Sequence, residues 1–318
     1  MSELAVGLLL PTREAFVRGD LDPRPLLGLA DAAAELGFDS VWASDSPLAR
    51  PRWEPLTLLS ALAARSELTI GTAVLLAALR HPVMLAHTLA TLDRLARGRL
   101  ILGVGAGFPL RQTEAEFEAL GVPHRERFGR LAEVVAICRA LWAADGPTDF
   151  DGRYFKFEAL TLEAKPAQPG GPPVWLAGAG PSALRRAGRA FDGWLPYAPS
   201  ADEYRDGLAA IARHATEAGR EPGAIQPAQY VTVHVADDAD RARAELDAYC
   251  RGYYGFPLEA VARVQAFYAG DAAGCARWLT AFAAAGARHL VVRLGALDSH
   301  RTMLERFAAG VLPALRDL

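Results

Sequence analysis

Short apolar runs alternate with amphipathic segments along almost the whole chain. In the first third, the apolar runs Ala5–Leu10, Ser40–Ala43 and Leu68–Val74 are each followed by a segment with apolar residues at helical spacing. The segment Asp22–Gly37 has proline near its start and glycine at its end, as helices often do. This alternation predicts βα units and a parallel sheet.

The alternation pauses once and then resumes. Residues 146–172 are rich in glycine and proline, and the alternating stretch FDGRYFKF predicts a small exposed hairpin. Apolar runs return in PVWLAGAG, GWLPY, AQYVTVHVAD and HLVVRLG, with a helical region predicted over Asp238–Asp271. About eight strand and helix pairs predict a closed (β/α)8 TIM barrel with an insertion before strand 5. A doubly wound open sheet is the alternative, and we treat residues 1–318 as one domain.

The composition limits the kinds of molecule that the protein is expected to bind. Hydrophobic residues make up 51% of the chain, charged residues 22%, and the net charge is −3, which argues against a general binder of nucleic acid or anionic membranes. Cys138, Cys250 and Cys275 lie far apart, and the histidines lack metal-ligand spacing, so no disulfide, zinc or other metal site is predicted. No apolar stretch reaches the roughly 20 residues of a membrane span, and no signal-peptide pattern opens the chain. We expect a cytoplasmic protein with a small-molecule substrate.

The stretch RLILGVGAGFP, Arg99–Pro109, raises the question of a dinucleotide-binding loop. Gly103, Gly105 and Gly107 are present, but the sixth position of the fingerprint is Phe108 and no helix starts at once. Two other interpretations stay open. The glycines either empty one face of a strand end for a planar ligand or relieve crowding between strands.

Several segments resemble the luciferase-like superfamily of flavin- and deazaflavin-dependent oxidoreductases. The resemblance is carried by GFDSVWASD, LTIGTAVLL and RHPVMLAHTLATLDRLARGRLILGVGAG, and in the second half by GPSALRRAGRAFDGWLP and AAAGARHLVVRLG. It covers essentially the whole chain. It implies a barrel, commonly a homodimer, that holds reduced FMN or the deazaflavin coenzyme F420 at the C-terminal strand ends, where the cofactor supplies the chemistry.

The resemblance also implies where the cofactor binds. The segment Thr72–Leu76 matches a bulge with a non-proline cis peptide behind the ring, and AGAGPS, residues 177–182, matches a phosphate site at a helix start. An ordinary strand end and a plain helix start are the alternatives. The implied cofactor-binding residues are Ala43, Asp45, Thr72, Val74, Leu75, Gly105, Ala106, Gly107, Gly178, Ala179, Gly180 and Ser182.

Two positions depart from the patterns of the superfamily. Ala106 stands where bacterial luciferases carry an arginine for the FMN phosphate, with Arg185 or Arg186 as substitutes. Ser46 follows the retained Asp45 where many F420 enzymes carry a histidine. The catalytic candidates are Asp45, Ser46 and His81, although His81 also fits a structural role.

Two further segments are candidates for the substrate side of the site. In the loop after the second strand, Arg50, Arg52 and Trp53 either clamp an anionic or aromatic substrate or cover the core. In the insertion at 146–172, taken as a lid, Tyr154 and Phe155 either pack on the barrel or face a hydrophobic substrate.

These observations favour a monooxygenase of the EC 1.14 class. Reduced FMN and O2 would oxidise a small organic substrate, and a separate flavin reductase would supply the reduced cofactor, since no nicotinamide motif is found. An F420-dependent oxidoreductase that transfers hydride is the first alternative. A non-catalytic flavin-binding protein is the second, because fold does not imply function.

Overall fold

The computed structural model describes residues 4–318, which form two compact units. The first unit comprises residues 4–43 and 175–318, and the second comprises residues 44–174. Met1 to Glu3, the start of the segment considered above for a signal peptide, lie outside the described residues.

Strands and helices alternate along the described chain. The strands are β1 (Ala5–Leu9), β2 (Ser40–Ala43), β3 (Thr69–Thr72), β4 (Leu100–Val104), β5 (Thr148–Asp151), β6 (Lys156–Leu160), β7 (Val174–Leu176), β8 (Gly193–Trp194), β9 (Gln226–Val235), β10 (Phe267–Gly270) and β11 (His289–Leu294). The helices are α1 (Glu14–Arg18), α2 (Arg24–Glu35), α3 (Pro55–Ala63), α4 (Pro82–Leu95), α5 (Arg111–Ala119), α6 (Arg127–Ala143), α7 (Pro181–Ala190), α8 (Ala201–Glu217), α9 (Ala239–Tyr254), α10 (Leu258–Val261), α11 (Ala272–Ala284), α12 (His300–Gly310) and α13 (Leu312–Arg316).

The first unit contains a parallel sheet in the order β7, β8, β9, β11, β1, β2, with β10 also parallel to β9. Large side chains fill one face of it. A Cβ on Gly7 would lie 2.2 Å from the Ser40 Oγ, so glycine is needed there. The indole of Trp42 donates to Ser40 at 2.8 Å, and Ser40 bonds the Nε2 of His289 at 2.8 Å. Burial lowers the pKa of His289 to about 4, so this core histidine is neutral.

The second unit contains the parallel pair β3 and β4 and a separate antiparallel hairpin of β5 and β6. The hairpin pairs Asp151 with Lys156, and the rings of Phe150 and Phe157 stack with centroids 5.9 Å apart. It lies in the segment where the alternating pattern predicts it. Helices α4 and α6 pack on each other, with the indole N–H of Trp142 donating to the Ala86 carbonyl at 3.0 Å.

One region differs from the sequence expectation. Asp238–Asp271 is predicted to be helical, but it contains α9, the short α10 and the strand β10. Helix α9 ends at Tyr254 because the next residue, Gly255, has a φ of 78° that reverses the chain, and Pro257 follows. Both residues terminate helices. The short run Phe267–Gly270 then pairs with β9. It has no run of buried apolar residues like that of β2, since only Gly270 of its four residues is buried.

Candidate functional site

The end of β3 forms the bulge that the resemblance implies. The peptide bond between Ala73 and Val74 is cis. The Thr72 hydroxyl donates to the Gly103 carbonyl at 2.7 Å, and the Leu75 N–H donates to the same oxygen at 2.8 Å. The Gly105 N–H returns a bond to the Leu75 carbonyl at 3.1 Å. The structure therefore brings Thr72, Val74, Leu75 and Gly105 together at adjacent strand ends.

The glycines of the RLILGVGAGFP stretch have structural reasons of their own. A Cβ at Gly103 would lie 2.0 Å from the Thr72 carbonyl oxygen, so a side chain would push β3 and β4 apart. Gly107 has a φ of 77°, and a Cβ there would lie 2.8 Å from Thr113. Crowding therefore explains Gly103, and a left-handed backbone explains Gly107. Ala106, between them, is buried.

Asp45 fastens the bulge to the loop after β2. Its Oδ2 accepts the Leu76 N–H at 3.0 Å and an Nη1 donor of Arg80 at 2.5 Å. Arg80 also bonds Glu54 at 3.1 Å. Burial would raise the pKa of Glu54, but hydrogen bonds from Thr57 and the charge of Arg80 outweigh it and lower the pKa. Asp45 is thus an ion-paired residue that positions Leu76.

Ser46 forms a buried pair with Glu116, a residue that the sequence interpretation missed. The Ser46 hydroxyl donates to the Glu116 Oε1 at 2.8 Å and accepts the Arg50 N–H at 2.9 Å. The same Oε1 accepts the N–H groups of Leu48 and Ala49 at 2.8 and 3.0 Å. Glu116 is 2% exposed on α5. Helical spacing with Thr113 and Phe117, which are also buried, is the signal that could have identified it.

The loop at 50–53 is held by its own atoms. An Nη1 donor of Arg52 bonds the Ser44 hydroxyl at 2.5 Å, and its Nε donates to the Arg50 carbonyl at 3.1 Å. Trp53 is half-buried. These contacts give Arg52 a structural role within the second unit, while its part in substrate binding stays a prediction.

The hairpin of β5 and β6 is anchored on α6. Glu133 accepts the backbone N–H groups of Arg153, Tyr154 and Phe155 at 2.8, 2.9 and 3.2 Å. The guanidinium of Arg130 lies 4.7 Å from the centre of the Phe155 ring. The exposed His81, which precedes α4, makes an edge contact with the same ring at 6.1 Å. Phe155 therefore packs against α6 and His81.

The predicted phosphate loop lies in the first unit. Gly178 has a φ of 109°, and its carbonyl accepts the Trp194 indole N–H at 2.8 Å. Helix α7 begins after Gly180 without a side-chain cap, and Ala179, Gly180 and Ser182 are exposed. Arg185 is exposed and Arg186 is half-buried on the same helix. Ala43, the last residue of β2, is fully buried.

Two kinds of feature are absent among residues 4–318. Their histidine, cysteine and acidic side chains form no group of three or more that could hold a metal ion. None of their helices combines the length and apolarity needed to cross a membrane.

Known proteins with similar sequences and structures were found along nearly the whole chain. A family model described as luciferase-like monooxygenase matches residues 4–310. An F420-dependent glucose-6-phosphate dehydrogenase from Nocardia farcinica is 32% identical, with 93% of this chain and 95% of the relative aligned. An F420-dependent hydroxymycolic acid dehydrogenase from Mycobacterium tuberculosis is 35% identical over 69% of this chain and 61% of the relative.

Among solved structures, an F420-dependent secondary alcohol dehydrogenase in complex with an F420-acetone adduct has a TM-score of 0.84. It is 24% identical and covers 99% of this chain and 100% of its own. This likeness confirms the predicted fold class, a (β/α)8 barrel with an inserted hairpin.

Proposed function

Because the chain belongs to the luciferase-like monooxygenase family, we propose that it is an F420-dependent dehydrogenase, which oxidises a hydroxyl-bearing carbon of a small molecule by hydride transfer. The observation that carries the proposal is the F420 dependence of relatives that align along nearly the whole chain. Their names specify hydroxyl compounds as substrates. The comparisons favour this alternative over the FMN monooxygenase that the sequence analysis puts first.

The residues present fit a deazaflavin with a phosphate in its side chain. In the second unit, the end of β4 carries the small Ala106 and provides no arginine for a luciferase-type FMN phosphate. In the first unit, α7 begins at Pro181 with no side-chain acceptor at its N-terminus, where the helix dipole favours an anion. Arg185 and Arg186 add positive charge one turn into that helix. We propose Gly178, Ala179, Gly180 and Ser182 as the phosphate site.

F420, when bound, accepts a hydride at a ring carbon, so the chain must take the hydroxyl proton of the substrate. Asp45 is poorly suited because its charge is matched by Arg80. We assign the proton to Ser46, whose own hydroxyl proton faces Glu116 at 2.8 Å. A substrate proton that moves to the Ser46 Oγ is balanced by transfer of the serine proton to Glu116.

The proposal is tested by anaerobic mixing of the purified protein with oxidised F420 and a panel of secondary alcohols, sugar phosphates and hydroxy acids. Loss of the visible absorbance of oxidised F420 is the expected result. Oxygen uptake with reduced FMN, together with no reduction of F420 by any substrate, would establish the monooxygenase instead.

The role of Ser46 has its own test. Ser46→Ala should lower kcat by about 100-fold, a typical effect of removing a proton acceptor, while the Kd of F420 stays unchanged. Ser60→Ala is the matched control, since the Ser60 hydroxyl donates to the Leu56 carbonyl of its own helix at 2.8 Å. An unchanged kcat in Ser46→Ala would remove Ser46 from the mechanism.

A further inference from the structure

A buried arginine in the first unit has no carboxylate partner among residues 4–318. Arg293, near the end of β11, is 7% exposed. Its Nη1 donates to the Tyr254 hydroxyl at 2.8 Å, and its Cζ lies 4.4 Å from the centre of the Tyr253 ring and 5.3 Å from that of Tyr230. Within residues 4–318 it forms no ion pair.

This surrounding leaves the charge of Arg293 incompletely matched. A guanidinium stays protonated in proteins and offers five N–H donors, of which the structure uses one on the neutral Tyr254 hydroxyl. Contacts with ring faces stabilise a cation, but they do not neutralise it. Proteins bury unpaired charges at a large cost, so such a group signals a missing anion.

Glu14 belongs to the same cluster, but its bonds go elsewhere. Its Oε1 accepts the Tyr249 hydroxyl at 2.9 Å, and its Oε2 accepts the Arg13 N–H at 3.2 Å. The side chain of Arg13 lies over the Tyr253 ring at 5.3 Å. Among residues 4–318 neither Glu14 oxygen bonds Arg293, and the Arg13 Nε donates to the Tyr253 carbonyl at 3.3 Å. The two guanidinium groups and the one carboxylate together leave one positive charge in excess.

The cluster lies at the carboxyl ends of the strands. Arg293 is the penultimate residue of β11 and is paired with Thr232 on β9, two residues beyond Tyr230. Glu14 follows β1, which pairs with β11. In (β/α)8 barrels this end carries the substrate. The unmatched charge is therefore at the place where a substrate group would meet it.

We propose that Arg293 binds a carboxylate of the substrate through two parallel N–H···O bonds, which makes the substrate class a hydroxy acid. A carboxylate carries one negative charge and matches the one unmatched cation, whereas a phosphate carries nearly two. The substrate class rests on the proposed function. Bound F420 would take the C–H hydrogen as hydride, the hydroxyl proton would go to the protein, and the product would be an oxo acid with its carboxylate intact.

The test compares lactate, 3-hydroxybutyrate and 4-hydroxybutyrate with their methyl esters as substrates of the F420-loaded protein. In the wild type we expect the best acid to exceed its ester by about 100-fold in kcat/KM, as for a buried charge pair. Arg293→Met should abolish this preference, and Arg293→Lys should retain part of it because the charge stays and the fork is lost. Arg301→Met, at an exposed arginine paired with Glu305, is the matched control.

Two readouts separate this inference from a structural role and from the proposed function. Removal of an unmatched buried cation should leave the Tm of Arg293→Met equal to or above that of the wild type. A lower Tm together with an unchanged acid preference would overturn the inference.

Calorimetry without F420 gives the second readout. Binding of 3-hydroxybutyrate that is lost in Arg293→Met and weakened in Arg293→Lys supports the inference even if no F420 is reduced. F420 reduction by esters or phosphate esters but not by acids would contradict the carboxylate while leaving the dehydrogenase intact.

Discussion

Replacement of Asp45 by asparagine tests whether the buried ion pair holds the bulge after β3. Asp45→Asn removes the charge that faces Arg80 at 2.5 Å and retains the size of the side chain. The Asp45 side chain is 4% exposed and that of Arg80 is 23% exposed. Glu54→Gln is the matched control, because it removes the other carboxylate from the same arginine at 3.1 Å, where the glutamate side chain is 48% exposed.

The burial of the two carboxylates sets the expected difference. At an effective dielectric constant of about 20, two unit charges 2.5 Å apart attract by about 7 kcal/mol. Part of this is returned when the aspartate no longer has to be desolvated, and breaking a buried pair usually costs about 3–5 kcal/mol. Because Arg80 keeps Glu54, we expect about 3 kcal/mol for Asp45→Asn. The exposed pair should contribute no more than about 1 kcal/mol.

Guanidinium chloride denaturation of the wild type and both variants measures the two losses. Equal slopes would show that the denatured states are comparable. If Asp45→Asn and Glu54→Gln lower the free energy of unfolding equally, the Asp45–Arg80 pair does not carry the stability assigned to it.

Three more substitutions test particular contacts. Gly103→Ala should lower the free energy of unfolding by about 1–3 kcal/mol because the new Cβ meets the Thr72 carbonyl. Gly28→Ala in α2, where a Cβ meets nothing within 4 Å, should raise it by about 0.5–1 kcal/mol. Equal effects of the two substitutions would contradict the steric argument. Glu116→Ala should lower the free energy of unfolding by about 3 kcal/mol because three donors lose their acceptor, while Glu118→Ala, at an exposed position, should lower it by less than about 0.5 kcal/mol. A small loss in Glu116→Ala would show that water replaces the three bonds. The pKa of His289 is about 4 in the folded protein, against 6.5 ordinarily. Between these two values the unfolded chain binds a proton that the folded chain does not. The free energy of unfolding is therefore full above pH 6.5 and falls by about 3 kcal/mol toward pH 4. Urea titrations at pH 7 and pH 4.5 should show this loss in the wild type and a smaller one in His289→Gln, and equal losses would exclude His289 as the cause.

The sequence predicts the parts of the fold that depend on local pattern. The bounds of β2 are identical in prediction and structure, and the hairpin of β5 and β6 lies in the predicted insertion. The cis peptide falls within the segment Thr72–Leu76, where the family resemblance implies it. These features depend on alternation, turn residues or motifs that lie close together in the chain.

The side-chain partners depend on residues far apart in the chain and were not predicted. Glu116 is 70 residues from Ser46, and Tyr249 is 235 residues from Glu14. No pattern in one sequence relates such positions. The sequence also does not show that Arg293 lacks a carboxylate partner, since this depends on which side chains the fold places around the end of its strand.

The anchoring of the hairpin by Glu133 has a consequence for how this protein can change. The Glu133 carboxylate accepts three backbone N–H groups at the tip, and these bonds do not depend on which side chains stand at positions 153–155. Only proline, which lacks the N–H, is excluded by this contact. The exposed Arg153 can therefore be replaced while the backbone of the tip stays in place, which makes this position suited to diversification by evolution or by a randomised library. Phe155 is in addition held by its contacts with α6 and His81.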